Sequence, residues 1–362
     1  MIALILKNQV ATSFQEFRPI CLCNISFKII SKIIAGRIKD TLSRFLSKDQ
    51  HGFLKGRNIL DVVANTQEGL FFMHINKSEA VILKIDLRKA YDCLEWGFMR
   101  FLLAKIGLNS NMIRWIMACM ENVNYDVIIN GMPSSYFLAA RGLRQGCSLS
   151  PLLFILAMDA LSLQMNKAVL EGCCHPLKIC RDNFISHNLF VDDILIFGML
   201  CKLTWTCLHD ILVRFQKATG LHINESKSSF FHNDANMDLI DFLSSLFGIG
   251  ARSIKDGMKY LGFQLKACSY SKSDWLWILD RYYKRISRWE FKILTMAGRV
   301  VLAQLVLVQL AGYWAHLFYI PASIIHMLNR LTANFIWGGQ SEKRKYHLTK
   351  LSDISLPKKL GG

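Results

Sequence analysis

The sequence contains little proline and few acidic residues. Only 6 of its 362 residues are proline, and we find no repeat, low-complexity tract or Pro-rich linker. Any internal boundaries are therefore expected to separate subdomains. Asp and Glu number 27 against 44 Lys and Arg, which gives a net charge of +17. This surplus predicts attraction to a polyanion and leaves nucleic acid, an anionic membrane surface and an acidic protein as candidates.

The sequence also lacks the regular cysteine framework of a small secreted protein. Its 11 cysteines are scattered, so we interpret them as reduced thiols of an intracellular protein, in the cytoplasm, the nucleus or both. The one cluster comprises Cys173, Cys174, His175 and Cys180, with His187 beyond it. Because adjacent cysteines rarely ligate one zinc ion together, we prefer a thiol-bearing loop to a structural zinc site.

A clear export or membrane signal is missing as well. The apolar run at residues 1–10 is too short and too poorly flanked for a signal peptide. Val300 to Pro321 contains no Asp, Glu, Lys or Arg, which meets the length criterion for a membrane span. Gln304, Gln309 and His316 interrupt it, so we predict a buried amphipathic helix and no membrane partner. A membrane-associated helical protein is the alternative that this segment and the mean hydropathy of +0.25 leave open.

Two short apolar stretches carry aspartate in places where a strand would not ordinarily tolerate it. Val81 to Leu87 alternates with the period of a β-strand and brings Asp86 close to its end. Asn188 to Gly198 has apolar β-forming residues on both sides of Asp192 and Asp193. This pattern predicts a hairpin with the aspartate pair in its tight turn.

Helical spacing is found in several other segments. Asn24 to Leu46 predicts a helix with a basic side, on which phosphate contact and simple solvation are equally good explanations of the lysines. The apolar positions of this helix are Ile29, Ile33, Ile34, Ile38 and Leu42. Ser150 is expected to cap a core helix, Thr206 to Thr219 predicts another, and the pattern is mostly helical from Trp275 onward.

The three aspartates of the predicted strands indicate a bound cation. A buried, unpaired carboxylate costs on the order of several kcal/mol, so a cluster of them implies a compensating positive charge. Oxygen-rich sites of this type select Mg²⁺ or Mn²⁺. Two such ions, about 4 Å apart, can activate an attacking hydroxyl and stabilise a leaving oxygen in phosphoryl transfer.

Seven segments, in order and spacing, resemble the motifs of reverse transcriptases. The central three are KIDLRKAYD (Lys84 to Asp92), RGLRQGCSLSPLLF (Arg141 to Phe154) and FVDD (Phe190 to Asp193). FRPICLCNISFKIISKIIAGRI and QHGFLKGRNILD precede them, GLHINESKS and YLGFQL follow, and the tail contains LPKKLGG. These flanking segments are similar to those of plant-type non-LTR, LINE-like retrotransposons. Any one motif is weak support, whereas the ordered set is strong.

The resemblance implies an α+β fold of the right-hand polymerase type. Fingers are expected over residues 1–80, an antiparallel palm sheet over 81–265 and a helical, thumb-like region over 266–362. The implied activity is RNA-directed DNA synthesis that extends a primer 3′-hydroxyl with deoxynucleoside triphosphates, as part of retrotransposition. The implied partners are an RNA template, a DNA primer and these nucleotides, and the implied cofactors are two Mg²⁺ or Mn²⁺ ions.

The resemblance also implies roles for single residues. Asp86 and Asp192 correspond to the principal metal ligands, and Asp193 completes the acidic cluster unless it only forms the turn. Lys227 corresponds to a lysine near the leaving pyrophosphate and is a candidate proton donor, although a solvated surface lysine is the simpler alternative.

Nucleotide and primer contacts are implied for a second group of residues. They are Arg57 for the triphosphate, Tyr91 beneath the sugar, Gln145 and Gly146 against template and nucleotide, and Tyr260, Leu261 and Gly262 at the primer terminus. Tyr91 and Tyr260 have a structural alternative as ordinary packed aromatics. An inactive retrotransposon remnant, or an RNA-binding protein that keeps the fold, is the alternative for the whole chain.

We predict that binding of this chain to an RNA–DNA hybrid weakens steeply as salt increases. The basic surplus should act mainly through phosphate contacts and the release of counterions, with slight sequence preference. The measurement is the logarithm of affinity against the logarithm of salt concentration. A flat line would mean that the positive charge serves another purpose.

Overall fold

The computed structural model describes residues 1–7, 13, 16–121, 123–180, 183–233, 236–289 and 294–337. The chain divides into two compact units, Met1–Ala267 and Cys268–Gly362. The tail segment LPKKLGG, which contributed to the resemblance, lies outside the described residues. The predicted borders of fingers, palm and thumb-like region stay predictions.

The first unit combines strands and helices along its whole length. Its strands are β1 (Ile2–Leu6), β2 (Phe17–Cys21), β3 (Ala80–Ile85), β4 (Leu87–Arg88), β5 (Asn124–Tyr125), β6 (Ile128–Ile129), β7 (Met132–Pro133), β8 (Phe137–Leu138), β9 (Leu177–Cys180), β10 (Asn183–Ile185), β11 (His187–Phe190), β12 (Asp193–Met199), β13 (His222–Ile223), β14 (Ser229–His232), β15 (Ala251–Ser253), β16 (Met258–Tyr260) and β17 (Phe263–Leu265). Its α-helices are α1 (Ile25–Phe45), α2 (Ile59–Ile75), α3 (Ala90–Cys93), α4 (Trp96–Lys105), α5 (Ser110–Ala118), α6 (Ser150–Leu170), α7 (Lys202–Thr219) and α8 (Met237–Phe247).

A five-stranded sheet with the order β11-β12-β3-β14-β15 forms the centre of this unit. The pairs β11–β12, β12–β3 and β3–β14 are antiparallel, as predicted, whereas β14 and β15 run parallel. The strand β3 is almost continuously apolar, and all of its residues except Lys84 are buried. The predicted hairpin is confirmed, with its turn between Phe190 and Asp193.

The helices confirm the helical predictions with two corrections. In α1, Ile34, Ile38 and Leu42 are buried, but Ile29 and Ile33 are more than half exposed, because they lie on the opposite face of the helix. Ser150 is the first residue of α6 and does not cap it. Because α6 is buried around most of its circumference, it forms the core helix that its apolar sequence predicted.

The second unit is helical within its described residues. Its α-helices are α9 (Leu276–Ile286), α10 (Met296–Leu302), α11 (Val308–Ala315) and α12 (Ala322–Trp337). A π-helical turn, Ala303–Leu307, joins α10 to α11, and the 3₁₀ turn Lys272–Trp275 precedes α9. An apolar cavity of about 920 Å³ lies between the α10–α11 segment and α12.

Two helices in the described ranges are long and apolar enough to cross a membrane, Ser150–Leu170 and Met296–Ala315. The first is mostly buried, as a core helix would be, and only 11% of the second is buried. We had expected a buried amphipathic helix in the second segment. The helices α9 and α12 cover only one edge of this segment. Its buried residues are therefore few, namely Ala303, Leu307 and Trp314.

A buried hydrogen-bond network joins α6 to β11. His187 is 1% exposed, and its Nε2 lies 2.6 Å from Ser162 Oγ while its Nδ1 lies 2.9 Å from Ser186 Oγ. The Asp49 carboxylate lies 3.5 Å from the same Nε2. Burial lowers the pKa of His187, against the opposing charge of Asp49. The ring is therefore neutral at neutral pH, and its contact with Asp49 is not an ion pair.

We predict that His187 makes the chain less stable as the pH falls. The pKa of His187 in the folded chain lies below its value of about 6.5 in the unfolded chain. Its contribution to stability is therefore present above about pH 6.5 and is lost as the pH falls through the folded pKa. The unfolded chain then binds up to one more proton, which corresponds to about 1.4 kcal/mol per pH unit. In His187→Gln, the free energy of unfolding should fall less steeply with decreasing pH below about pH 6.5, by up to this amount per pH unit. The measurement is the free energy of unfolding from denaturant titrations at several pH values. If it changes with pH equally in parent and variant, the prediction is contradicted.

Candidate active site

Asp86 lies at the end of β3, the central strand of the sheet. The loop before β14 holds it in place. Its N–H donates to Ser228 Oγ (3.1 Å), its carbonyl accepts from the Asn224 N–H (2.8 Å), and its Oδ2 accepts from Asn224 Nδ2 (3.1 Å). Neither Asn224 nor Ser228 was predicted as a site residue, although both lie in the motif GLHINESKS. The carboxylate therefore has a fixed orientation.

Strand pairing brings the two hairpin aspartates to the same place. Ile194 of β12 pairs with Ile85 of β3. One position further along both strands, Asp193 lies next to Asp86. Asp192 precedes it in the hairpin turn and is solvent-exposed. The sheet thus gathers Asp86, Asp192 and Asp193 at one edge, as the hairpin prediction required.

Burial and like charges both act on the hairpin carboxyls. Burial, the charge of Asp192 and the charge of Asp86 raise the pKa of Asp193 to about 6. The pKa of Asp192 is also raised, first by burial of its inner part and then by Asp86, although the side chain still reaches solvent. Buried and crowded carboxylates are expected to shift in this direction.

Two basic side chains that were not predicted as site residues face this cluster. Lys84 lies on the same side of β3 as Asp86, and burial lowers its pKa while the charges of Asp193 and Asp86 oppose that shift. Arg18 of β2 is exposed, and its charge lowers the pKa of Asp192. The sequence alone could have indicated Lys84, because residues 84 and 86 of a strand point to the same side of the sheet. Arg18 comes from a strand distant in sequence and carried no such signal.

The predicted primer contacts form the β16–β17 hairpin, but Tyr260 belongs to the core. Its ring is 1% exposed, burial raises its pKa well above the usual value, and its hydroxyl has no hydrogen-bond partner among the described residues. Lys84 Nζ donates to the Lys259 carbonyl (2.6 Å) and links this hairpin to β3. Leu261 (φ 46°) and Gly262 (φ 85°) form the turn. Their primer contact stays a prediction.

Tyr91 lies close enough to the hairpin to be affected by its charge. After Asp86 the chain turns at Lys89, whose φ is 42°, and enters α3. The Tyr91 ring stacks on Phe154 with centroids 4.7 Å apart and an interplanar angle of 13°. Burial raises the pKa of Tyr91, and the charge of Asp192 adds to the shift. One face of the ring is therefore covered, and the half-buried side chain is adjacent to the aspartates.

Gln145 and Gly146 join the loop before α6 to β2. Gln145 Nε2 donates to Asp92 Oδ1 (3.1 Å), and its carbonyl accepts from the Cys21 N–H (2.8 Å). Gly146 has a φ of 105°, and a Cβ there would lie 3.1 Å from the Cys21 carbonyl oxygen. The glycine is thus required by the left-handed backbone and by a close strand contact. Its contact with a nucleotide stays a prediction.

Arg57 makes contacts within the fold, whereas Lys227 is open to solvent. The Arg57 guanidinium donates to the carbonyls of Ser47 and Gln50, and also to that of Leu46 (3.1 Å). These bonds direct three of the five guanidinium N–H groups to carbonyls of the turn that follows α1, and a triphosphate contact of Arg57 stays a prediction. In this arrangement Arg57 is an anchor of the 46–50 turn. Lys227 is solvent-exposed and has no ion pair within the described ranges.

The carboxylates of this site are of the type that magnesium binds together with a substrate. Among the described residues, no group of three or more His, Cys, Asp or Glu side chains is arranged to hold a metal ion. Mg²⁺ commonly binds to one or two carboxylates plus substrate phosphates and water. Asp86 and Asp192 could supply two oxygen ligands of this kind, and the pKa of Asp192 and of Asp193 is raised first by burial and then by the neighbouring carboxylates.

Comparison with known proteins gives a consistent result. Residues 5–265 match the family described as reverse transcriptase (RNA-dependent DNA polymerase). The Transposon TX1 uncharacterized 149 kDa protein of Xenopus laevis is 26% identical over 369 residues, which is 100% of this chain and 27% of that protein. The Pol polyprotein of the type-2 retrotransposable element R2DM of Drosophila melanogaster is 26% identical over 61% of this chain and 20% of that protein.

Solved telomerase structures are more distant. Apo telomerase from Candida tropicalis has a TM-score of 0.45 and 12% identity, over 86% of this chain and 55% of that chain. Telomerase from Candida albicans with a fragment of telomeric RNA has a TM-score of 0.44 and 13% identity, over 86% of this chain and 51% of that chain. The chain therefore spans about half of these structures and about a quarter of the polyproteins.

We predict that Asp193→Asn stabilises the metal-free chain at about pH 8 by about 1 to 2 kcal/mol, after a discount for solvent screening. Since the folded pKa of Asp193 is raised to about 6, its contribution to stability is present below the unfolded pKa and is lost as the pH rises through the folded pKa. The gain should therefore vanish near pH 4, about the unfolded pKa. Denaturant titrations with a chelator test this, and an equal gain at both pH values would contradict it.

Proposed function

Since this chain belongs to the reverse transcriptase (RNA-dependent DNA polymerase) family, we propose that it extends a primer 3′-hydroxyl with deoxynucleoside triphosphates on an RNA template. The family identifies the chain as a nucleotidyltransferase and confirms the α+β fold of the right-hand polymerase type. One observation carries the finer proposal. Asp86, Asp192 and Asp193 lie together at one edge of the central sheet, inside the matched range.

Two Mg²⁺ or Mn²⁺ ions would be held by Asp86 and Asp192, with Asp193 completing the acidic cluster. When bound, such ions activate the attacking hydroxyl and stabilise the leaving pyrophosphate oxygen. The residues of this chain act by orientation. Asn224 and Ser228 fix Asp86 through three hydrogen bonds, so that its carboxylate need not reorganise when substrate arrives.

The nucleotide is proposed to bind next to Tyr91, whose ring is supported by Phe154. Arg18 is exposed and its charge lowers the pKa of Asp192, so we add it to Arg57 as a candidate for contact with the triphosphate. Lys227 remains the candidate proton donor to pyrophosphate, because it is exposed in the turn that holds Asp86.

The template is RNA, as the family description states. A DNA primer is proposed as the second strand, and the net charge of +17 supports phosphate contact with both. The relatives from transposable elements TX1 and R2DM support a role in retrotransposition. An intracellular location is proposed with it, since all 11 cysteines are free thiols.

Primer extension on an RNA template, with Mg²⁺ or Mn²⁺, tests the proposal. We predict that Asp86→Asn and Asp192→Asn each lower extension by at least about 10³-fold, because each removes a charged metal ligand. The fold should remain intact, since neither side chain is packed in the core. Asp210→Asn, an exposed aspartate on α7, is the matched control. No extension by a folded parent would favour the inactive remnant, and full extension by either variant would refute the metal site.

We predict that Tyr91→Ala incorporates ribonucleotides far more readily relative to deoxynucleotides than the parent does. A ring packed beneath the sugar leaves no room for a 2′-hydroxyl, so a smaller side chain relaxes the exclusion. Tyr91→Phe keeps the ring and its stacking on Phe154, so it should discriminate nearly as well as the parent. The measurement is kcat/KM for each nucleotide type. If Tyr91 only packs, Ala lowers stability and leaves the ratio unchanged.

A further inference from the structure

A buried glutamine lies beneath the aspartate hairpin. Gln50, in the turn after α1, is 0% exposed. Its Oε1 accepts two backbone hydrogen bonds, from the Gly52 N–H (3.0 Å) and from the Val191 N–H (3.3 Å). Val191 is the residue directly before Asp192 and Asp193. One side-chain oxygen therefore reaches the hairpin at the position where the aspartate pair begins.

Val191 is a residue whose backbone needs external support. Its φ is 60°, in the left-handed region. A β-branched side chain is strongly disfavoured there, at a cost on the order of 1 to 3 kcal/mol. Such a conformation persists only where the surroundings determine it. The next residues carry the carboxylates, so a change in the backbone of Val191 would change where Asp192 lies relative to Asp86.

The segment that carries Gln50 is fixed along the neighbouring strand. The Leu189 N–H of β11 donates to the Asp49 carbonyl (2.9 Å), and the His51 N–H donates to the Leu189 carbonyl (2.9 Å). Gln50 and Leu189 thus form a parallel bridge. Arg57 holds the same segment from the other side through the carbonyl of Gln50. The guanidinium of Arg57 therefore supports the segment that carries Gln50.

The approach of this segment to the hairpin is as close as glycine permits. A Cβ on Gly52 would lie 2.5 Å from Val191 Cγ2 and 3.0 Å from the Val191 nitrogen. Separations below about 3 Å cannot be accommodated without movement of one of the two segments. Residue 52 therefore packs closely against both the side chain and the backbone nitrogen of Val191, and a side chain at this position would not fit.

Packing alone does not account for a glutamine at this position. Gln50 Nε2 is buried and has no hydrogen-bond partner among the described residues. An unsatisfied buried amide donor is destabilising by about 1 to 3 kcal/mol. A methionine of similar length would fill the space without that cost, so the reason for glutamine is its acceptor oxygen.

We infer that Gln50 is a positioning residue, which holds the backbone of Val191 and so directs Asp192 and Asp193 toward the reacting groups. Gly52 allows the contact, and Arg57 keeps the segment in place. The inference rests on the proposed function for its effect on turnover. The contact between Gln50 and Val191 can be tested without turnover.

The first test compares Gln50→Met with Gln67→Met. Methionine keeps the volume and removes the acceptor, and we expect kcat for primer extension to fall by about 10- to 100-fold, as for a small misplacement of reacting groups. The nucleotide KM and the affinity for an RNA–DNA hybrid should stay within about two-fold, since Gln50 touches neither. Gln67→Met, which removes the hydrogen bond from Gln67 to the Lys266 carbonyl, is the matched control and should keep kcat near the parent value.

The second test is hydrogen exchange of the peptide that contains Val191. Its amide should exchange at least about ten-fold faster in Gln50→Met than in the parent or in Gln67→Met, because the acceptor is lost. Should the parent extend no primer, the proposed function fails and this measurement still decides the role of Gln50. Unchanged exchange, or a parent-like kcat in Gln50→Met, would overturn the inference.

If Gln50→Met does not fold, the inference can be tested with a variant that keeps Gln50 and disturbs Val191 from the other side of the contact. Gly52→Ala adds a Cβ against Val191 and should lower kcat by a similar factor without a change in hybrid affinity. Val191→Ala removes the opposing Cγ2, so the double variant should recover part of the loss. A parent-like kcat in Gly52→Ala would overturn the inference equally.

Discussion

The arrangement of this molecule depends on holding like charges together at the edge of a buried sheet. Asp86 ends the central strand, and the hairpin places Asp192 and Asp193 beside it. Carboxylates this close repel one another by on the order of a few kcal/mol at partly buried sites. Backbone ladders, an apolar core and the loop around Asn224 resist that repulsion. None of these contacts neutralises the charge, so the fold keeps the cluster in a state that a divalent cation would stabilise.

The surroundings compensate the cluster only in part. Lys84 and Arg18 bring positive charge toward the aspartates, yet the pKa of Asp193 stays raised to about 6. Full compensation by protein side chains would stabilise the empty site and leave no use for a metal ion. Gln50 fits this arrangement because it is neutral. It can support the strained backbone of Val191 next to the aspartates without competing for the cation.

Local patterns predicted much of the fold, whereas contacts between distant segments did not follow from them. The alternation around Asp86 and the apolar flanks of Asp192 predicted a strand and a hairpin, since both depend on neighbouring residues. The apolar residues of α1 cover more than one face, so their spacing alone did not show that Ile29 lies away from the core. No local signal shows which carbonyls the Arg57 guanidinium meets. The effect of the Arg18 charge on Asp192 likewise depends on tertiary folding, which brings β2 near the hairpin.

Metal binding tests the central claim most directly. Mn²⁺ would be titrated into the folded chain with an RNA–DNA primer-template and a non-hydrolysable deoxynucleotide, and bound ions counted by electron paramagnetic resonance. The account predicts about two bound ions for the parent, spin coupling between them, and loss of both features in Asp192→Asn. Equal binding by parent and variant, or no binding above that of the nucleic acid alone, would contradict the claim that these carboxylates form a divalent-cation site.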